Sequence, residues 1–565
     1  MNDAGRAVAL ADRFWEELLE REPIFATAIG DERYDDRLPD IGEEGRGLSE
    51  TRNRSALDEL SKIDREALDI TLRTTMDILE AIATQALAAL ELRTDRIYVV
   101  NHFVGPGVLL GDIASVQRTD TPEHLERYEH RLRAFPAYLE ACAEIAREGI
   151  ATGVVSPRTV AERAVAQIER IVALPAEDAP PLAAVAEDDA PARERVVAAW
   201  NYAVAPAFAR FLDVLRDALP RAAESNAVTD LPGGDAIYAA EIRSWTTLPL
   251  DPQEVHDLGN ERLDAIQAER FEVAARLGYD HPAAATADRK ASGKDTPASA
   301  EALIELVEDQ VGRSWDIAPG WFGRLPKANC RVREIEAYRA ADMAAAFYMP
   351  PTADGDRPGT YYINTYDLEG MALHQIPAVT YHEANPGHHF QIALEMEFDE
   401  RPSLRRFGGL LAGSSFAEGW GLYSERLADE MGLYLDDWER LGMLAGQAHR
   451  AARLITDTGL HAFGWTRDEA IEKLVAGGSP RGESEVEVDR YIALPAQALA
   501  YMVGMIEIEQ ARHRAEEKEG AAFDLRDFHD RILALGQLPL QALRRQEGLR
   551  EAAAAVAMLR VWGLR

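Results

Sequence analysis

The sequence predicts a mainly α-helical protein that carries a small β-sheet. Long runs rich in Ala, Leu, Glu and Arg have apolar residues three and four positions apart, as in residues 50–93, and this spacing is typical of amphipathic helices. Strand-like sequence is scarce and falls at residues 331–338, 346–349 and 360–364, where β-branched and aromatic residues gather. An apolar fraction of 47% in a chain of 565 residues is enough to form a large core.

Two lobes are expected along the chain. The turn-forming sequence Leu-Pro-Gly-Gly at residues 231–234 interrupts the helical pattern. We therefore predict an N-terminal helical lobe over residues 1–225 and a catalytic lobe over residues 226–565, the second being one continuous structural unit.

Local signals add detail between these limits. Thr121 followed by Pro122 predicts a helix that begins there, with the threonine as N-cap and the proline in the first turn. Residues 174–192 and 281–298 are rich in Ala, Asp and Pro, so we expect flexible surface segments at both places.

Charge limits the range of partners. With 61 basic and 97 acidic side chains the net charge is −36, and such a surface repels nucleic acid and anionic membranes. The first 20 residues lack a basic start and a continuous apolar core, and two cysteines cannot supply a disulfide framework for this length. We expect a cytoplasmic protein with neither nucleic acid nor membrane as partner; the oligomeric state stays open.

The sequence at residues 381–391, YHEANPGHHFQ, holds three of the 13 histidines. Neutral imidazole is the commonest zinc ligand, and a carboxylate beside the first ligand can take a proton from water at the metal. The pattern is that of the HExxH zinc-hydrolase motif with Pro-Gly inserted before the second histidine. It predicts His382 as a ligand and Glu383 as the catalytic base.

The second ligand is predicted to be His388, provided that the Pro-Gly insert is extruded from the helix. His389 is the alternative, although on an unbroken helix it would lie about 10 Å along the axis from His382. A different interpretation is a helical corner whose histidines cap carbonyls or pack in the core.

Glu418 is the candidate for the third protein ligand that a catalytic zinc needs. It lies 30 residues beyond His388, which is room for one turn and a returning helix. The alternative is a capping box with Ser415, in which Glu418 only satisfies a helix N-terminus. Glu425 comes seven residues later on the same helix face and is predicted to orient a ligand histidine.

An arginine stripe follows at three- and four-residue spacing, in Arg450, Arg453 and Asp457. Because arginine binds carboxylates through two hydrogen bonds, the stripe could hold the C-terminal carboxylate of a substrate. We assign Arg450, Arg453 and His461 to substrate binding and Asp457 to the support of a ligand. Arg–Asp pairs on a solvated helix face are the alternative.

The remaining candidates are aromatic and polar residues. Tyr491 is predicted to donate a hydrogen bond to the developing oxyanion, with Tyr501 and Tyr423 as alternatives. Arg490 and Tyr501 are assigned to substrate binding. So is Asn364, since the sheet could offer an open edge to an extended peptide. A sheet that only packs against the helix is equally compatible with the sequence.

The sequence resembles the bacterial family known as domain of unknown function 885, which is grouped with gluzincin-type zinc metallopeptidases. The resemblance spans residues 34–40, 231–238, 246–247, 255–259, 382–391, 418–423, 453–461 and 495–501. It implies a large two-lobed helical body around a deep active-site channel, similar to angiotensin-converting enzyme and thermostable carboxypeptidases, with the small sheet beside the metal-binding helix. Arg490-Tyr491 also resembles a pair that such dipeptidyl carboxypeptidases place beside the zinc.

A functional hypothesis combines these residues. Two imidazoles and one carboxylate suit Zn²⁺ best, so we expect one zinc ion per chain, although manganese or cobalt could replace it. The expected activity is that of a carboxypeptidase or dipeptidyl-carboxypeptidase-like enzyme acting on short peptides. A metal-dependent amidase for non-peptide amides and an inactive helical binding protein are the alternatives.

Overall fold

The predicted helices dominate the structure. The computed structural model describes residues 2–335, 340, 345–351, 358–398 and 400–545. Within them the fold is mainly α, with one three-stranded sheet, as the sequence predicts. The two-lobed shape around a channel stays a prediction.

Fifteen helices of the described part precede the sheet, and short 3₁₀ turns join several of them. Thr121 caps the seventh helix as expected, because its side chain accepts a hydrogen bond from the His124 N–H at 3.1 Å. The bounds are α1 Asp3–Arg21, α2 Pro23–Ala28, α3 Glu43–Leu60, α4 Ile70–Leu92, α5 Asp95–Tyr98, α6 Pro106–Val116, α7 Pro122–Arg133, α8 Phe135–Thr152, α9 Arg158–Ala173, α10 Ala190–Ala199, α11 Ala205–Ala218, α12 Gly234–Thr246, α13 Pro252–Arg276, α14 Pro282–Ala291 and α15 Ala300–Ile317.

The sheet consists of β1 Cys330–Glu334, β2 Ala346–Met349 and β3 Gly359–Ile363. Its order is β1-β3-β2, with β1 parallel and β2 antiparallel to β3. All three predicted strands are confirmed; residues 336–338 of the first prediction lie outside the described residues. Tyr361 and Ile363 of β3 share a small core with residues of α15 and of the next helix, so the sheet packs beside the metal-motif helix.

Ten further helices of the described part follow the sheet and carry every predicted metal ligand. They are α16 Ile376–Glu383, α17 His388–Met396, α18 Ser403–Phe407, α19 Ser415–Glu430, α20 Asp437–Ala462, α21 Arg467–Gly477, α22 Arg481–Ala493, α23 Ala500–Glu519, α24 Leu525–Leu535 and α25 Leu540–Arg545. The longest, α20, packs along α13, and α23 packs along α19.

The main hydrophobic core joins α12 and α13 to the helices after the sheet. A second core lies within residues 99–215. A third unites α1, α3 and α4 with Leu404 and Phe407 of α18, so the first helices share a core with a segment beyond the predicted boundary at residue 225.

Two predicted flexible segments are ordered instead. Within 281–298, Pro282 occupies the first turn of α14, a position that proline tolerates, and alanines continue the helix. Asp295 is 3% exposed and binds His374. In 174–192, Leu182 and Val185 are buried in the second core. The alanines and the proline were therefore misleading loop signals at α14, whereas residues 174–189 form only short 3₁₀ turns, as a loop does.

No single helix of the described part is long and apolar enough to cross a membrane. By length and composition alone, α22 together with the segment Gln497–Ala522 would be long and apolar enough, but the two are bent by 116° relative to each other.

Candidate metal centre

The Pro-Gly insert separates two short helices. Helix α16 ends at Glu383, and α17 begins at His388. Proline at 386 cannot donate the backbone hydrogen bond that would continue the helix. At Gly387 a Cβ atom would lie 1.9 Å from the carbonyl oxygen of His382, so glycine is required for this close approach. The insert is thus extruded, as the choice of His388 required.

Three predicted ligands converge. Nε2 of His382 and Nε2 of His388 each lie 3.5 Å from Oε2 of Glu418. The two imidazole rings are nearly perpendicular, with centroids 4.7 Å apart. All three ligand atoms lie within 4.8 Å of one another, a spacing that one metal ion can bridge.

Helix α19 brings Glu418 to the histidines. Its N-cap residue is Ser414 and its first residue is Ser415, whose hydroxyl has no hydrogen-bond partner among the described residues, so the capping box with Glu418 does not form. Trp420 Nε1 donates to the Pro386 carbonyl at 2.9 Å, which ties α19 to the extruded insert.

Two more residues of α19 fit this arrangement. The Ser424 hydroxyl donates to the same Pro386 carbonyl at 3.3 Å. At Gly421 a Cβ atom would lie 2.7 Å from Nε2 of His382, so a larger residue would displace the imidazole ring.

Glu425 orients His382 as predicted. Its Oε1 lies 2.9 Å from Nδ1 of His382, and Gln447 on α20 donates to its Oε2 at 3.1 Å. Because an ionised carboxylate only accepts, Nδ1 carries a proton, and Nε2 is the ring nitrogen left to face Glu418 and a metal ion. Glu425 is 2% exposed, so this contact is shielded from water.

The electrostatics of the cluster favour a cation. Burial alone would lower the pKa of His382, yet its contacts with Glu418 and Glu425 raise that pKa to about 10. Burial alone would raise the pKa of Glu418. The two histidines outweigh burial and hold this pKa well below its usual range. The carboxylates therefore stabilise a positive charge between the imidazoles, be it a proton or a metal ion.

The donor set fits a zinc ion. Oε2 of Glu418, the oxygen that both histidines approach, is buried and lacks a hydrogen-bond partner among the described residues. Buried polar atoms of this kind are costly unless something binds them. Two imidazole nitrogens and one carboxylate oxygen are a known catalytic zinc set that leaves a fourth position for substrate or water.

Glu383 lies at the end of α16, next to the first ligand, and is half-buried. Burial raises the pKa of Tyr361 on β3, and the negative charge of Glu383 raises it further. The charge acts in the same way on Cys330 of β1, whose pKa burial and Glu383 raise to about 12. The carboxylate therefore lies close to the sheet.

His389, the alternative ligand, lies outside the cluster. Its Nε2 is 2.9 Å from the Ala328 carbonyl oxygen and its Nδ1 is 2.9 Å from the Tyr348 hydroxyl. Nε2 must donate to the carbonyl, so Nδ1 accepts from the tyrosine. Both ring nitrogens are thus engaged, and burial lowers the pKa of His389 to about 4.

The residues predicted for substrate binding form a second cluster, joined by Glu487. Arg453 Nη2 lies 2.7 Å from Oε2 of Glu487, and Arg490 Nη1 lies 3.3 Å from its Oε1. The Tyr491 hydroxyl donates to Glu487 at 2.8 Å and accepts from Arg453 Nε at 3.2 Å. Tyr491 is 1% exposed, so its hydroxyl is held inside this network.

Tyr501 borders the same cluster. Its hydroxyl accepts from Arg490 Nη2 at 3.2 Å, and its ring lies 4.6 Å from the guanidinium carbon of Arg453. Arg490 also donates to Gln497 at 2.6 Å. Tyr423, by contrast, contacts His529 and is buried.

Three predicted site residues serve backbone groups elsewhere. Asp457 accepts hydrogen bonds from the Tyr238 hydroxyl and the Ala496 N–H. His461 is fully buried, accepts from the Val228 N–H at Nδ1 and donates to the Tyr491 carbonyl at Nε2. Asn364 donates to the Ala340 carbonyl at 2.7 Å. These hydrogen bonds are not made to His382, His388 or Glu418, and the predicted roles of the three residues stay predictions.

The sequence analysis missed three residues that support the centre and one, Glu487, that joins the second cluster. Trp420, Ser424, Gln447 and Glu487 reach their partners only in the folded chain. Trp420 stands beside Glu418-Gly419 in a segment that carries the family resemblance, which was the one available signal.

Comparison with known proteins agrees with the resemblance. The model of a family described as "Bacterial protein of unknown function (DUF885)" matches residues 23–546. The chain belongs to this family. No curated protein matches the sequence significantly.

Two solved structures share the fold with this DUF885 protein. A candidate lipoprotein from Colwellia psychrerythraea is 23% identical, with a TM-score of 0.90, over 99% of this chain and 100% of that one. A candidate lipoprotein of unknown function from Shewanella oneidensis is 17% identical, with a TM-score of 0.74, over 95% of this chain and 98% of that one. At these identities the likeness concerns the fold alone.

Proposed function

We propose that this protein is a zinc-dependent hydrolase that cleaves peptide bonds, of the gluzincin kind. The observation that carries the proposal is the convergence of His382 and His388 on one oxygen of Glu418, each at 3.5 Å, with Glu383 next to the first histidine. These three side chains would hold one zinc ion per chain. The natural substrate of the protein would be a short peptide.

When bound, zinc supplies Lewis acidity towards the scissile carbonyl and a water molecule. Glu383 is the group that takes a proton from the attacking water and returns it to the leaving amine. Glu425 fixes the tautomer and direction of His382. Glu383 thus transfers the proton of water, and Glu425 holds His382 through its Nδ1.

Tyr501 is the better candidate for the hydrogen-bond donor to the carbonyl oxygen. The hydroxyl of Tyr491 already donates to Glu487, whereas that of Tyr501 accepts from Arg490 and keeps its own proton for another acceptor. Tyr501 also lies at the start of α23, which packs along the helix that carries Glu418.

Glu383→Gln is the variant that tests the proposal. It keeps the shape of the side chain and removes its basic oxygen, so turnover should fall on the order of a thousandfold while zinc content stays near one per chain. The measurement is hydrolysis of a mixed peptide library by zinc-loaded protein, read by mass spectrometry.

The matched control is Glu308→Gln, a change at an exposed glutamate of α15 that should leave turnover unchanged. Near-normal turnover in Glu383→Gln would contradict the mechanism. Hydrolysis of non-peptide amides without hydrolysis of any peptide would favour the amidase instead.

We propose a cytoplasmic location on the strength of the sequence alone. The alternative is a lipoprotein, which is how the two similar structures are described. Fractionation of cells that produce the native gene product distinguishes the two.

A further inference from the structure

Positive charge is concentrated beside the metal centre of a protein whose net charge is −36. Arg450 and Arg453 lie one turn apart on α20, and Arg490 faces them from α22. Glu487 pairs with Arg453 and Arg490, and Nε2 of His449 lies 3.5 Å from its Oε2. Two of the three guanidinium groups thus share one carboxylate, and no ion pair among the described residues joins Arg450 to it.

Arg450 is the arginine left without an acidic partner among the described residues. Its Nε is buried and makes no hydrogen bond there, and its Nη1 lies 3.5 Å from the Gly446 carbonyl, at the limit of a hydrogen bond. A half-buried guanidinium normally pairs with a carboxylate, because a buried donor without a hydrogen bond destabilises the protein. Arg453 adds one more such donor, because its Nη1 is also buried without a partner there and the residue is 6% exposed.

This free donor group borders the metal centre. A methyl group at Gly446 would lie 3.4 Å from Nη1 of Arg450 and 3.8 Å from Oε2 of Glu425, so both side chains lie beside this glycine. Glu425 in turn contacts His382 at 2.9 Å. Arg450 therefore lies close to the carboxylate that supports the first predicted ligand.

We propose that Arg450, assisted by Nη1 of Arg453, binds the terminal α-carboxylate of the substrate, which makes the protein a carboxypeptidase for short peptides with a free C-terminus. This inference rests on the proposed function and adds its substrate class. The planar guanidinium matches a carboxylate through two parallel hydrogen bonds. Arg453 and Arg490 are held by Glu487, so Arg450 is the main anchor.

A purely electrostatic role is the competing account. In that account Arg450 only balances the charge of Glu425, and its loss would weaken all ligands equally. The two accounts differ in whether the C-terminal carboxylate of the ligand matters.

The experiment measures binding by calorimetry to zinc-loaded Glu383→Gln protein, which prevents turnover. The probes are N-acetyl-Gly-Gly-Phe as the free acid and as its C-terminal amide. We expect the acid to bind about 10- to 100-fold more tightly than the amide, the usual gain from charge-assisted hydrogen bonds. Adding Arg450→Ala should reduce this ratio to within about threefold, while Arg450→Lys should keep part of it.

Arg440→Ala is the matched control. Arg440 lies on the same helix but pairs with Asp429 at 2.7 Å, so its loss removes one positive charge without touching the anchor. The acid-to-amide ratio should stay unchanged in this variant, and zinc content should stay near one per chain in all of them.

Equal weakening of acid and amide by Arg450→Ala would overturn the proposal, and so would the absence of any acid preference in the parent. Failure of the proposed function has a different signature. In that case zinc-loaded wild-type protein would leave both peptides uncut, although the acid preference and its dependence on Arg450 would persist.

Discussion

The metal cluster and the arginine cluster lie on neighbouring helices, yet their carboxylates are satisfied in opposite ways. At the metal cluster, Oε2 of Glu418 and Nδ1 of His388 have no hydrogen-bond partner among the described residues. At the arginine cluster, the carboxylate of Glu487 binds Arg453, Arg490 and Tyr491. The metal cluster therefore leaves a carboxylate oxygen without a hydrogen bond between two imidazoles, whereas the carboxylate of the arginine cluster is paired on both oxygens.

This difference teaches how to separate binding groups from structural ones. The sequence marked both clusters as functional, because residue types and spacing are equally suggestive in each. The Tyr491 hydroxyl donates to Glu487 within the arginine cluster. Arg450 lies at the edge of this cluster, and its Nε has no hydrogen-bond partner among the described residues. Hydrogen-bond partners thus distinguish Arg450 from Tyr491, which residue type and spacing do not.

Arg453→Ala tests whether the arginine cluster is closed. It leaves Glu487 half-buried without its nearest cation, at present 2.7 Å away, so the free energy of unfolding should fall by about 3–5 kcal/mol. Urea denaturation of zinc-loaded protein measures the change. Arg440→Ala, at a more exposed pair, should cost less than about 1 kcal/mol.

A loss below about 1 kcal/mol for Arg453→Ala would mean that the pair with Glu487 contributes little. Arg453 would then be free to act as a ligand group in the same sense as Arg450. The contrast between the two clusters would no longer hold.

Asp457 gives a smaller effect that depends on pH. It is fully buried, and burial raises its pKa to about 7 although Tyr238 and Ala496 donate to it, whereas Glu418 between two histidines has a lowered pKa. Since the folded state holds this proton up to a higher pH than the unfolded chain, stability present at low pH is lost as pH rises through 7. The free energy of unfolding should fall by about 1 kcal/mol between pH 6 and 8 on account of this group.

Denaturation of wild type and Asp457→Asn at each pH isolates that contribution, because the asparagine does not titrate. The slope of stability against pH should be less negative in the variant by the stated amount. Identical slopes would mean that Asp457 is ionised throughout, and that the closed region tolerates a buried charge.

Local rules predicted much of the fold and part of the site. Helical spacing, the Thr121 cap and the three strands depend on nearby residues, and all are confirmed. The extruded Pro-Gly insert follows from the properties of Pro386 and Gly387. The structure brings His382, His388 and Glu418 together as the spacing predicted.

Long-range partners could not be predicted in this way. The pairing of Tyr491 with Glu487, and of His389 with Tyr348 and the Ala328 carbonyl, depends on how distant segments pack. The error at residues 281–298 has a local cause, since proline was weighed as a loop signal where it begins a helix. Side-chain types therefore identified the chemistry, and packing decided which atoms are free for it.

Metal analysis of two neighbouring histidine variants tests the central claim most directly. His388→Ala removes a predicted ligand, whereas His389→Ala removes an imidazole whose nitrogens both serve the chain itself. Each protein is purified without chelator and dialysed against limiting zinc. Its zinc content per chain is then measured by elemental mass spectrometry. The account predicts about one zinc per chain in wild type and His389→Ala, and near zero in His388→Ala. Retention of zinc in His388→Ala together with its loss in His389→Ala would contradict the account.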